Sequence, residues 1–222
     1  MSAAIAIPIY IVCDVSASMA TLISELNSGN QEILDAIHQD PLLVESIYVA
    51  LVSFADEARL EAPLQSARDV SEFPVLTSRR GTSYGAALRL LQELVARDIP
   101  NLKRSKSRVY RPLVFFFTDG EPLDDSHLVQ KALEKLRNSP YRPSIVAVGM
   151  GEVSPESIEM IASRSAFLIR SDVTPREGVR GFYQLITATL NSFLDSIDSK
   201  GSSPFRAAVP ASLTPVDLDS WL

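Results

Sequence analysis

Oxygen-bearing side chains follow directly after the first strongly apolar run of the chain. The run IYIVC is followed by Asp14, Ser16 and Ser18 at alternate positions. A carboxylate and two hydroxyls supply hard oxygen donors of the kind that bind Mg²⁺, Mn²⁺ or Ca²⁺. By itself, an Asp-x-Ser-x-Ser stretch is more typical of a helix cap or a turn, because these side chains also accept hydrogen bonds from free backbone N–H groups.

Two further oxygen donors occupy comparable places later in the chain. Asp119 follows another very apolar run in the stretch FFFTDGEP, and Thr82 lies in the loop RRGTSYG ahead of a helical pattern. Ligands of open parallel sheets bind beyond the carboxyl ends of the strands, so residues that follow strands are favoured positions for a site. Two carboxylates and three hydroxyls, without sulfur or imidazole, favour Mg²⁺, or else Mn²⁺ or Ca²⁺, over Zn²⁺. Each position alone has a simpler explanation as a cap or turn residue, so the metal-site prediction depends on all of them together.

Apolar runs alternate with amphipathic patterns along most of the chain. Strands are predicted at 9–13, 46–54, 112–118, 144–150 and 166–170, and helices at about 19–37, after the GTSYG loop, near 126–137, from about 155 and at about 175–194. Residues 57–66 alternate between apolar and polar and include a proline, which is typical of an antiparallel edge strand. Strands that alternate with helices predict a doubly wound, mostly parallel α/β sheet with helices on both faces.

The composition argues against several classes of protein. With 222 residues, 46% hydrophobic and 22% charged, the chain fits one globular α/β domain, and its net charge of −6 disfavours nucleic-acid binding. The single cysteine, Cys13, excludes an internal disulfide and a multi-cysteine zinc site, and we interpret it as a packed core residue. The apolar N-terminal stretch is short for a membrane span and lacks a basic leader, so we expect no membrane contact and a cytoplasmic location.

The C-terminal segment departs from the strand and helix pattern. Residues 198–222 are rich in serine and proline and end in VDLDSWL, so we interpret them as a tail attached to a domain of residues 1–197. Trp221 is the expected anchor of a short docking motif. Disorder of the tail, or packing on its own domain, stays open as an alternative.

A run of basic residues, KRSKSRVYR at 103–111, stands out in this acidic chain. A solvated loop is the simpler interpretation. A docking patch for an acidic or phosphorylated partner is the alternative, since arginine binds carboxylates and phosphates well.

Motifs of common enzyme classes are missing from the sequence. A P-loop, a dinucleotide fingerprint and a nucleophile elbow are absent, and neither His38 nor His127 has an obvious serine or cysteine partner. Mg²⁺-dependent phosphoryl transfer with Asp14 as the acceptor remains the alternative function. Ser16 weakens it, because haloacid-dehalogenase-type phosphatases have a second aspartate at that place. We therefore expect no catalytic activity.

The motifs DVSAS, GTSYG and FTDGEP together resemble the metal-ion-dependent adhesion site (MIDAS) of von Willebrand factor type A domains. The match covers all five donors, Asp14, Ser16, Ser18, Thr82 and Asp119. The resemblance extends over roughly residues 6–195 and implies the Rossmann-like fold of this family. It also implies a divalent-cation-dependent protein-interaction module, in which a glutamate or aspartate of a partner completes the coordination of the metal.

Within this family, the stretch VYRPLVFFFTDGEP is most similar to short bacterial TerY-like proteins of tellurite-resistance and stress operons. This similarity implies a role in stress signalling, with a protein kinase or a PP2C-type phosphatase of the same operon as partner. As partner-contacting residues we expect Arg80, Tyr84 and Glu121, which lie beside the metal-site motifs, and Trp221 in the tail.

Overall fold

One sheet organises the part of the chain that the computed structural model describes, residues 5–198 and 208–216. Its eight strands are β1 (Ile5–Asp14), β2 (Ile47–Phe54), β3 (Ala58–Ser66), β4 (Arg108–Val109), β5 (Leu113–Thr118), β6 (Ser144–Gly149), β7 (Ser165–Ile169) and β8 (Leu213–Val216). The α-helices of the described residues are α1 (Ile23–Gln39), α2 (Pro41–Ser46), α3 (Tyr84–Ser105), α4 (Ser126–Arg137), α5 (Pro155–Ile161) and α6 (Pro175–Asp198). A 3₁₀-helix, Ala17–Leu22, joins β1 to α1, and a second, Ala67–Asp69, follows β3.

The strand order across the sheet is β3-β2-β1-β5-β6-β7-β8, and the short β4 pairs with the start of β1. The five central strands are parallel, whereas β3 and β8 are antiparallel edge strands. From β1 the chain continues to β2 on one side and later to β5 on the other, so the order changes direction between β1 and β5. This confirms the predicted mostly parallel sheet with an antiparallel edge strand, and β8 adds a second such edge.

Both faces of the sheet are covered by helices, which explains the continuous apolar runs of the central strands. Successive residues of β1 point to opposite faces. Ile9, Ile11 and Cys13 belong to the core shared with α1 and α6, whereas Tyr10 and Val12 belong to the core shared with α3 and α4. All five of these side chains are essentially buried.

The longest helices are α3, with 22 residues, and α6, with 24 residues. Each is amphipathic, as expected for a helix that packs one face on a sheet. Within residues 5–198 and 208–216, no helix combines the length and the apolarity that crossing a membrane requires.

Part of the segment interpreted as a tail belongs to the sheet. β8 pairs with β7, with Leu213 opposite Ile169 and Val216 opposite Ala166. Leu213 is buried, so this stretch packs on its own domain. α6 ends at Asp198, one residue beyond the predicted domain boundary at 197, and the sheet continues past it with β8. Trp221 lies outside the described residues.

Candidate metal centre

The carboxyl ends of β1 and β5 bring the two predicted aspartates together. Asp14 is the last residue of β1, and Asp119 directly follows Thr118, the last residue of β5. β1 and β5 are adjacent and parallel, so their carboxyl ends meet where the strand order changes direction. This is the part of an open α/β sheet where ligands bind.

The two serines converge on one oxygen of Asp119. The Ser18 hydroxyl donates a hydrogen bond to Asp119 Oδ1 at 2.8 Å, and the Ser16 hydroxyl lies 3.3 Å from the same oxygen. The two hydroxyl oxygens are 3.0 Å apart. Asp14 is joined to Ser16 by a further hydrogen bond. Four of the five predicted donors, all except Thr82, therefore form one hydrogen-bonded cluster.

Asp14 is fully buried at the base of this cluster. Its Oδ1 accepts a hydrogen bond from the backbone N–H of Ser16 at 2.8 Å, and its Oδ2 accepts one from the Thr118 hydroxyl at 2.6 Å. Burial raises the pKa of Asp14 to about 6 despite these hydrogen bonds, and the charge of Asp119 adds to the increase. Burial also raises the pKa of Asp119. Two partly desolvated carboxylates side by side favour the binding of a cation.

Thr82 lies on a third loop at the same end of the sheet. Its carbonyl oxygen accepts a hydrogen bond from the backbone N–H of Leu123 at 2.8 Å. A Cβ placed on Gly120 would stand 3.7 Å from the Thr82 hydroxyl oxygen. Thr82 therefore lies against the loop that carries Asp119, beside the cluster formed by the other four donors.

The loop before α3 has little conformational freedom. Gly81 has a φ of +82°, which favours glycine, and a Cβ there would stand 2.8 Å from Cβ of Asp56. The Ser83 hydroxyl donates to one carboxylate oxygen of Asp124 at 2.6 Å, and the backbone N–H of Gly85 donates to the other at 2.8 Å. These bonds join the start of α3 to the loop after β5, so Thr82 and Asp119 are held relative to each other.

Tyr84 requires a correction to the predicted partner surface. Its side chain is fully buried, and its ring packs against Phe54 and Phe116 with centroid distances of 6.0 and 5.4 Å. Its hydroxyl donates a hydrogen bond to the carbonyl oxygen of Gly120 at 2.7 Å. A side chain without exposed surface cannot contact a partner, so Tyr84 instead supports the loop that carries Asp119.

The other predicted partner-contacting residues differ in their surroundings. Arg80 is exposed near Thr82. Glu121 is exposed, but its carboxylate accepts hydrogen bonds from the backbone N–H of Ser154 at 2.5 Å and from the Ser157 hydroxyl, at the start of α5. Desolvation raises the pKa of Glu121, but these hydrogen bonds outweigh it and the pKa is lowered. Glu121 therefore already has a structural role.

Thr118 and Asp124 support the site but were not predicted from the sequence. Thr118 precedes Asp119 in the strand, so the FFFTDG stretch contains a usable signal for it. Asp124 has no local signal, because its partners lie 41 and 39 residues earlier in the chain.

The donor set fits a hard divalent cation. It consists of two carboxylates and three hydroxyls, all oxygen ligands of the kind that Mg²⁺ and Ca²⁺ prefer. Within the described residues, no group of three or more histidine, cysteine, aspartate or glutamate side chains is arranged to hold a metal. The candidate centre therefore depends on its hydroxyls for the ligands beyond the two aspartates.

The surroundings of Asp14 do not favour its use as a phosphoryl acceptor. An acceptor carboxylate needs an oxygen that the phosphorus can approach. Asp14 is fully buried, and each of its oxygens already accepts a hydrogen bond, so a phosphorus atom has no direct approach to it. A cation differs in this respect, because Asp14 could hold it through an intervening water.

The profile of the von Willebrand factor type A domain matches residues 9–175. No curated protein matches the chain.

Among solved structures, the fold is similar to the pilus adhesin SpaC from Lactobacillus rhamnosus GG, with a TM-score of 0.63 and 12% identity over 85% of this chain and 30% of that one. It is also similar to a von Willebrand factor type A protein from Catenulispora acidiphila, with a TM-score of 0.59 and 16% identity over 84% of this chain and 43% of that one. A third is proximal thread matrix protein 1 from the mussel byssus with a zinc-occupied MIDAS motif, with a TM-score of 0.53 and 13% identity over 85% of this chain and 48% of that one. At these identities the likeness concerns the fold, and the chain spans less than half the length of each structure.

Proposed function

The chain belongs to the von Willebrand factor type A family, and from this premise we propose that it binds a partner protein through a divalent metal held by Asp14, Ser16, Ser18, Thr82 and Asp119. Metal-dependent protein interaction through a MIDAS is a role of this family, whose domains are in general not enzymes. We propose Mg²⁺, or else Mn²⁺ or Ca²⁺, as the ion, because the donors are all oxygens.

The observation that carries this proposal is the convergence of Ser16 and Ser18 on Asp119 beside the buried Asp14. The loops that carry these residues are already held together by hydrogen bonds, so little ordering is needed on binding. When bound, a divalent cation supplies a positive charge that a glutamate or aspartate of the partner can bind. The carboxylates of Asp14 and Asp119 hold this charge at the carboxyl end of the sheet.

The surface beside the centre suits a partner that presents an acidic residue within an apolar contact. Leu123, whose backbone contacts Thr82, is 78% exposed, and Leu128 on the first turn of α4 is 50% exposed. Exposed Arg80 adds a positive charge that favours a carboxylate. We propose that Arg80 and Leu123 contact the partner around the metal.

The finer assignment follows from the resemblance to TerY-like proteins. We propose that the protein acts in bacterial stress or tellurite-resistance signalling in the cytoplasm, without catalysis of its own. Its partner would be a protein kinase or a PP2C-type phosphatase of the same operon. In a pull-down assay, we expect this protein to bind the kinase or the phosphatase in the presence of Mg²⁺ and to release it when EDTA is added. Binding that EDTA does not affect would contradict this assignment.

The metal centre is tested by thermal unfolding of the full chain during titration with Mg²⁺ and Mn²⁺. A ligand that binds only the folded state adds about 2.7 kcal/mol of stability at a hundredfold excess over its dissociation constant. We expect this increase in the wild type and its loss in Asp119→Asn, which keeps the shape of the side chain but removes the charge. Glu152→Gln, an exposed residue in the loop after β6, is the matched control and should respond like the wild type. An equal response of Asp119→Asn and the wild type would refute the site.

A further inference from the structure

Basic side chains gather at the end of the sheet opposite the candidate metal centre. Arg111, Arg142 and Arg164 each lie within two residues of the start of β5, β6 and β7, respectively. These three strands are parallel neighbours, so the arginines follow one another along the amino edge of the sheet. The pKa of Arg164 is lowered by desolvation and further by the charge of Arg111, consistent with their closeness. We call these three residues the arginine row.

A cleft of about 420 Å³ adjoins the arginine row. Its lining includes Lys103, Arg111 and Arg142 and the rings of Tyr110 and Tyr141. The Lys103 ammonium group lies 4.9 Å from the centroid of the Tyr141 ring. Within residues 5–198 and 208–216, neither Lys103, Arg111 nor Arg142 takes part in an ion pair, and all three are exposed. The cleft therefore combines unneutralised positive charge with aromatic surface.

β8 directs the end of the chain to this same edge. β8 is antiparallel to β7, and its last residue, Val216, lies opposite Ala166 in the second position of β7. The chain therefore leaves the sheet beside Arg164. The residues that follow are DLDSWL, with two aspartates and the only tryptophan of the protein.

We propose that residues 217–222 bind along the arginine row of their own chain, with Asp217 and Asp219 against the arginines and Trp221 in the adjoining cleft. Guanidinium and carboxylate groups form strong, charge-assisted hydrogen bonds, and tryptophan packs well against tyrosine rings and cations. The chain as a whole has a net charge of −6, so most of it repels an acidic segment. The basic edge instead attracts such a segment.

The lengths agree with this arrangement. Neighbouring strands lie about 4.8 Å apart, so the second and third strands from β8 are about 10 and 14 Å away. An extended chain advances about 3.3 Å per residue, so Asp219 can reach about 10 Å and Trp221 about 17 Å from Val216. Asp219 therefore reaches Arg142, which precedes the second strand, and Trp221 reaches the cleft beside Arg111.

Because the protein has one tryptophan, its fluorescence tests this proposal in the full-length chain. In the folded wild type, we expect emission at shorter wavelength and several-fold weaker quenching by acrylamide than in the chain unfolded by urea. The double variants Arg111→Gln/Arg142→Gln and Asp217→Asn/Asp219→Asn should both move emission and quenching to the values of the unfolded chain. Their circular dichroism should stay that of the wild type, because the substituted arginines are exposed.

The matched control is Arg104→Gln, which removes one charge from the same basic run at an exposed position outside the lining of the cleft. It should leave the fluorescence unchanged. The proposal is wrong if Trp221 of the folded wild type is quenched as readily as in urea. It is also wrong if protection persists in both double variants, or if it disappears on dilution, which would assign the segment to a second copy of the chain.

Discussion

At the carboxyl end of the sheet, Asp14 is fully buried and accepts two hydrogen bonds, whereas at the amino end Arg142 is exposed and has no ion-pair partner within the described residues. Each residue lies at or next to an end of a strand whose neighbours are parallel to it. The parallel topology therefore places charged side chains of several strands side by side at both the carboxyl and the amino end of the sheet. The difference lies in burial. The acidic end is a small, fixed cluster suited to one cation, and the basic end is a broad surface suited to an extended acidic segment.

Burial also determines how strongly each end affects stability. Desolvated carboxylates are costly, and a bound cation offsets that cost, so occupation of the candidate metal centre should stabilise the fold by about 2.7 kcal/mol at a hundredfold excess of the ion over its dissociation constant. Exposed ion pairs contribute about 0–1 kcal/mol each and weaken as salt is added. We therefore expect large, salt-resistant effects on stability at the carboxyl end of the sheet and small, salt-sensitive effects at the amino end.

The largest expected effect concerns Cys13, the only cysteine, which lies beneath the metal centre. It is fully buried, and burial raises the pKa of its thiol to about 12. Reaction with a thiol reagent at pH 8 should therefore require unfolding. A stability of at least 5 kcal/mol would slow it at least about thousandfold relative to the unfolded chain. Absorbance after addition of an aromatic disulfide measures the rate.

A second thiol on the surface provides the control for this experiment. Ser126→Cys places one at an exposed position of α4, and it should react at the rate of the unfolded chain. Rapid reaction of Cys13 in the folded wild type would mean that β1 opens locally beneath the candidate metal centre, and that the carboxyl end of the sheet is not rigid.

Phe116→Ala should have the next largest effect. Phe116 is fully buried, stacks on Phe54 at 4.9 Å and contacts Tyr84 at 5.4 Å. Truncation of such a residue costs about 3–5 kcal/mol, which urea unfolding measures. Phe73→Ala, in the loop after β3, should cost less because Phe73 is 9% exposed. Equal losses would show that the layer beneath the metal centre is no more tightly packed than this loop.

The sequence predicts the sheet well because buried strands depend on local patterns. The same patterns single out the candidate metal ligands, whose metal binding stays a prediction. Buried strands appear as apolar runs, and Asp14 and Asp119 follow such runs directly. β8 is less visible, since LTPV is short and contains a proline, which lacks a backbone N–H for strand pairing. Its pairing depends on β7, far away in the chain.

Surface features that depend on contacts between distant segments are poorly visible in the sequence. Tyr84 begins α3 and would be exposed if the helix were isolated, but the loop after β5 covers it through Gly120. The arginine row likewise combines residues from three separate parts of the chain. The sequence showed only the basic run at 103–111, not its neighbours in space.

Tyr84→Phe should have a moderate effect confined to the carboxyl end. It removes the hydrogen bond from the Tyr84 hydroxyl to Gly120, which should cost about 1 kcal/mol and weaken Mg²⁺ binding by loosening the loop of Asp119. Tyr141→Phe removes a tyrosine hydroxyl at the amino end and should leave the Mg²⁺ response intact. Thermal unfolding with and without Mg²⁺ measures both. Equal Mg²⁺ affinity in the wild type and Tyr84→Phe would show that the Tyr84 hydroxyl does not position Asp119.

The smallest effect should come from salt, and it separates the two ends without any substitution. An increase in NaCl from 0.1 to 1 M shortens the screening length from about 10 to about 3 Å. The pairs proposed between Asp219 and the arginine row should weaken by up to about 1 kcal/mol, so quenching of Trp221 should increase. Stabilisation by saturating Mg²⁺ should change little, because the buried Asp14 is poorly screened. The opposite result would be that salt removes the Mg²⁺ response and leaves Trp221 protected from quenching. That result would contradict the difference between the two ends, because the carboxyl end would then behave as an exposed, salt-sensitive surface.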